Sequence, residues 1–202
     1  MESIILGILG AFGLSFSAGL NAYIPLLMVA LLGRFTDLIQ LVKPWDALTS
    51  WCTIGVLIVL VIVETFADKA PLLHHANDLI QTFIRPTAGA ILFAASAKTI
   101  TEISPVLSVI AGILVAGSVH VAKSAAVRPL ISAASAGMAS PVASFIEDIL
   151  ATALSVLSIV LPILMLFFLI LCIWWVVWIV QKLKRKKNRV TESDALYSNS
   201  QY

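Results

Sequence analysis

LATALSVLSIVLPILMLFFLILCIWWVVWIV, residues 150–180, runs directly into QKLKRKKNR, residues 181–189. About thirty residues without a charge are too long for the core helix of a soluble domain. At 1.5 Å per residue they reach about 45 Å, against a hydrocarbon layer of roughly 30 Å. Trp174, Trp175 and Trp178 stand where an interfacial aromatic belt belongs. Lys182, Lys184, Arg185, Lys186, Lys187 and Arg189 follow at once and predict a cytoplasmic end for the last span.

Working outward, the whole chain has the same character. It is 60% hydrophobic and 12% charged, with a mean hydropathy of +1.02. Soluble domains are about 45–50% apolar and about 25% charged. The expected fold class is therefore all-α, a polytopic helical membrane protein. Its 202 residues allow one compact membrane domain, 1–181, and a basic tail, 182–202, that is expected to be disordered. The tail carries six basic and two acidic residues, and the remainder is close to neutral. This places the basic character at a membrane surface. The expected partners are the bilayer, anionic lipid headgroups and a second copy of the chain, with no nucleic acid. Met1-Glu2-Ser3 lacks a positive n-region, so no cleaved signal peptide is expected. Cys52 and Cys172 both lie in apolar stretches and read as small buried hydrophobes.

Six spans are predicted, at about 4–33, 51–67, 86–101, 104–122, 126–146 and 150–181. Polar connections lie at 34–50 and 68–85. With the tail inside, an even count puts the N-terminus inside too, along with Lys69, Arg85, Lys123 and Arg128, while Arg34, Lys43 and Lys98 fall outside. A five-span arrangement with the N-terminus outside is the alternative. Gly7, Gly10, Gly13, Gly89, Gly112 and Gly117 suit close helix packing in lipid.

Polar groups in these spans are the candidates for function. In SAGLNAYIP, residues 17–25, Asn21 lies near the centre of the first predicted span. Pro25 leaves the carbonyl of residue 21 without its donor. A helix interrupted at this point is one reading, and an ordinary Pro kink is the other. Glu64 and Asp68, four residues apart, share a helical face and need a cation or a basic partner, for which Lys69, Arg85, Lys123 and Arg128 are candidates. His120 and Lys123 also share a face. Glu147 and Asp148 form a second acidic pair, expected near the opposite membrane surface. His74, His75 and Asp78 are too few ligands for a metal site on this pattern. Neither metal nor cofactor is expected, and no phosphate loop, nucleophile elbow or HExxH sequence is present.

Taken together, residues 17–27, ETFADKAP at 64–71, Asp78, RPTAGA at 85–90, His120 with Lys123, Arg128-Pro129 and Glu147-Asp148 resemble the small bacterial membrane proteins of domain of unknown function 4126. Ala139 stands where that family's later Pro motif would have an Asn. The resemblance implies a helical membrane domain in a bacterial inner membrane and brings no activity. From the residues, two functions are open. One is a small transporter or channel for an ion or small polar solute, with Asn21, Glu64, Asp68, Lys69, Asp78, Arg85, His120, Lys123, Arg128, Glu147 and Asp148 as binding candidates. The other is a structural or accessory membrane protein, in which those charges form a salt-bridge lattice. A lipid-directed enzyme is the weakest reading, since no nucleophile–base pair is recognisable.

Overall fold

The computed structural model describes residues 2–69, 74–97, 104–127 and 140–164, with Phe167, Ile170, Leu171 and Trp174 beyond them. Regular structure among them is helical throughout: α1 (Glu2–Leu20), α2 (Tyr23–Phe35), α3 (Trp51–Lys69), α4 (His74–Ala97), α5 (Pro105–Ala122) and α6 (Ser140–Val160). A short 3-10 turn, Trp45–Thr49, leads into α3, and a π turn, Lys123–Val127, extends α5. Among the described residues, three stretches are long and apolar enough to cross a membrane: Leu79–Ser96, Pro105–Ala125 and Val142–Val160. Ile4–Leu20, Tyr23–Phe35 and Trp51–Ala67 are apolar but shorter.

α3 and α5 match the second and fourth predicted spans. The others shift. The first predicted span is interrupted, since α1 ends at Leu20 and α2 begins at Tyr23. The two halves do not run on as one helix. Leu38, Ile39 and Gln40, just past α2, line the same cavity of about 360 Å³ as Leu6, Gly7 and Gly10 of α1. Were α2 to continue in the direction of α1, these two groups would stand about 45 Å apart. The chain therefore reverses at Asn21 and Ala22, which puts Asn21 at one end of the bundle rather than at its centre. α4 takes in residues 74–85, read from sequence as a connection, and carries Pro86 within it. α6 bridges the predicted gap between spans five and six, and the long apolar run is broken at Val160. Pro162 supplies no amide for the Ser158 carbonyl, which removes one rung of the ladder at this break.

The helices alternate in direction around α1, which packs against α4, α5 and α6. Phe12 of α1 meets Phe93 of α4 edge to face at 5.0 Å. Ser17 bonds the Ala151 carbonyl and Ser155 of α6, at 2.7 and 2.8 Å. Glycines set the closest approaches. A Cβ on Gly19 would stand 2.5 Å from Val119 Cβ, and one on Gly10 would stand 3.0 Å from the Ser158 carbonyl. Gly89 and Gly112 face each other so closely that neither has room for a side chain. Dispersion contacts of this kind hold helices together where lipid offers no hydrophobic drive. Cys52 departs from expectation: it is exposed on α3.

The glycine contacts give a direct comparison. Gly89→Val should lower stability by about 1–3 kcal/mol or more by forcing α4 from α5. Gly55→Val, with open space around it, should change little. Thermal unfolding in detergent measures both, and equal effects would remove the packing argument.

Candidate functional site

In an uninterrupted helix the amides of Tyr23 and Ile24 would bond to the carbonyls of Gly19 and Leu20. Here Asn21 Oδ1 accepts both amides, each at 3.0 Å, and starts α2 as a side-chain cap. The two freed carbonyls turn to basic side chains from distant helices. Arg85 Nη1 donates to Gly19 O at 3.3 Å, and Lys123 Nζ donates to Leu20 O at 3.1 Å. Both cations sit at the C-terminal end of α1, where the helix dipole is negative.

Each cation also meets a carboxylate. Arg85 Nη2 lies 3.2 Å from Glu64 Oε1, with both side chains 1% exposed. Its Nε donates to Gln81 Oε1 at 3.3 Å. Lys123 Nζ lies 2.5 Å from Glu147 Oε2. Asn21 Nδ2 donates to Asp148 Oδ1 at 3.0 Å, so one amide side chain caps α2 and ties it to α6. Close by, Thr82 Oγ1 and His120 Nε2 are 3.2 Å apart, joining α4 to α5. The desolvation of an ion costs several kcal/mol, and only multiple charge-assisted bonds offset it. Arg85, with partners on three sides, meets that requirement.

Asn21, Glu64, Arg85, His120, Lys123, Glu147 and Asp148 thus gather at one end of the bundle. Glu147 and Asp148 were expected at the opposite surface. They join this end because α6 starts at Ser140, which places both residues inside the helix instead of before it. Asp68 and Lys69 lie on the last turn of α3 and Asp78 on the first half of α4, but their side chains lie outside the described residues. So does all of Arg128. Gln81 was not foreseen, although its place four residues before Arg85 on a helix signals the contact. The backbone acceptors Gly19 and Leu20 were missed as well. Among the described residues no group of three or more His, Cys, Asp or Glu is placed to share a metal ion.

The layer lies a short way inside the ends of the apolar stretches. Glu64 stands three residues inside the end of its apolar stretch at Ala67. Arg85 and Asp148 each stand six residues inside theirs, which begin at Leu79 and Val142. At 1.5 Å per residue these offsets are about 5–9 Å along the helix axes.

A family model described as Domain of unknown function (DUF4126) matches residues 8–182, and the chain belongs to that family. No curated protein and no solved structure matches it.

The Glu64–Arg85 pair makes an asymmetric prediction. Arg85→Met removes the cation that faces the buried Glu64 carboxylate and should cost about 3–5 kcal/mol. The double variant Arg85→Met/Glu64→Leu should recover most of that loss. Denaturant or thermal unfolding of the purified protein reads the difference, and a double variant no better than the single would contradict the ion pair's role.

Proposed function

With membership of that family as the premise, we propose that the chain is a small membrane transporter or channel for an ion or small polar solute. Its binding centre is the charged layer around Asn21. One observation carries the reading: the carbonyls of Gly19 and Leu20 leave their own helix and are held by cations from α4 and from the end of α5. Backbone groups outside a helix ladder are tolerated at membrane depth only under cover of protein or beside water. Transporters place such broken helix ends at their ion and substrate sites. Buried charges below the membrane surface point the same way.

The basic tail orients the protein, with its C-terminus in the cytoplasm and the bacterial inner membrane as its location. Contact of the tail with anionic headgroups fits its charge. A structural or accessory role is the second reading. It is favoured by the mutual pairing of Glu64 with Arg85 and of Lys123 with Glu147.

Flux into proteoliposomes, screened over cations, anions and small metabolites, separates the two. Asp68→Asn should bring flux to background while expression and thermal stability stay near wild type, whereas Glu64→Gln should lose flux together with stability, because it leaves the buried Arg85 charge without its carboxylate. Normal transport by Asp68→Asn, or its failure to fold, would leave the structural reading standing.

A further inference from the structure

Two cations hold the two freed carbonyls, and they are not held alike. Arg85 is 1% exposed and locked between Glu64, Gln81 and Gly19 O. Lys123 stands nearer the rim, where its partner Glu147 has a side chain 13% exposed. Lys123 also opens the π turn Lys123–Val127. Such turns are rare overall but frequent at functional sites; Lys123 itself keeps regular helical backbone, its amide reaching the Val119 carbonyl, and the turn follows it. The Lys123 ammonium is a compact point charge on a flexible stem. It lies between Leu20 O at 3.1 Å and Glu147 Oε2 at 2.5 Å.

We propose that the Lys123 ammonium is the tethered occupant of a monovalent-cation site, and that a free alkali cation or ammonium ion displaces it from between Leu20 O and Glu147 Oε2. The charge balance selects the class. Glu147 supplies one full negative charge and the C-terminus of α1 about half of another. The neighbouring Asp148 carboxylate is engaged by the Asn21 amide. The ammonium now held there carries a single positive charge, so an exchange that keeps the charge of the layer unchanged takes one monovalent cation. Both contacting atoms are oxygens, which excludes an anion at this point. The inference names the substrate class of the site proposed above and rests on that reading for its physiological use, though the binding itself does not require transport.

The full-length protein in detergent provides the test, at constant ionic strength in potassium, ammonium or N-methylglucamine chloride. Lys123→Ala opens the site. Its thermal midpoint should rise saturably with potassium or ammonium and stay unmoved by the bulky N-methylglucamine. Lys123→Ala/Glu147→Gln should lose that rise. Midpoints that respond alike to all three salts would overturn the proposal. In the wild type, displacement should raise the rate at which a small amine reagent modifies Lys123, read by mass spectrometry, to a plateau with potassium. A rate indifferent to potassium would overturn the proposal even if Lys123→Ala does not fold. Saturable binding without flux would retire transport and keep the site. Flux without either cation effect would retire the site alone.

Discussion

A backbone carbonyl in hydrocarbon must have a donor, and the break at Asn21 creates two that have lost theirs. Burial by the surrounding helices leaves their donors to come from the protein itself. They come from Arg85 and Lys123, two of the most costly side chains to bury, and each then requires a carboxylate of its own. Glu64 on α3 and Glu147 on α6 meet that need. One interruption of one helix thereby commits four other helices to a common depth. The cost of stranding any member holds the cluster together, and no single bond within it is especially strong.

The glycine contacts make this cluster reachable. Arg85 reaches the end of α1 because Gly89, one turn further along α4, lets that helix close on α5. Gly19 in turn allows α1 to lie against α5 beside the start of Lys123's turn. Small residues and large charges are often treated as separate features of membrane helices. Here the first set the spacing that the second require.

Much of this was legible in the residues. A polar Asn followed four residues later by Pro announces a break, because the amide needed at that step is missing. The apolar stretches of α3 and α5 have clean polar ends and show their bounds. The direction taken after the break was not legible, since a two-residue link allows both continuation and reversal, and packing against α3 and α6 decides. Glu147 and Asp148 misled for a related reason. Adjacent acids in an apolar region resemble a connection, and they lie inside a helix only because Lys123 and Asn21 arrive from elsewhere. Pro162 was visible in the longest apolar run, where length argued for one helix and the missing amide argued for two.

The members of the charged layer are spread along almost the whole described chain, and this bears on how the protein is made. Leu20 and Lys123 are 103 residues apart, and Asn21 and Asp148 are 127 apart. At ribosomal speeds of about 5–20 residues per second, the end of α1 waits roughly 5–20 s for Lys123. During that interval its carbonyls need a temporary host, whether the insertion machinery, water at the membrane surface or headgroups. The first helix hairpin is therefore committed last, after nearly every other helix has entered the membrane. A nascent chain halted before residue 123 would hold α1 in place with only half of its closure.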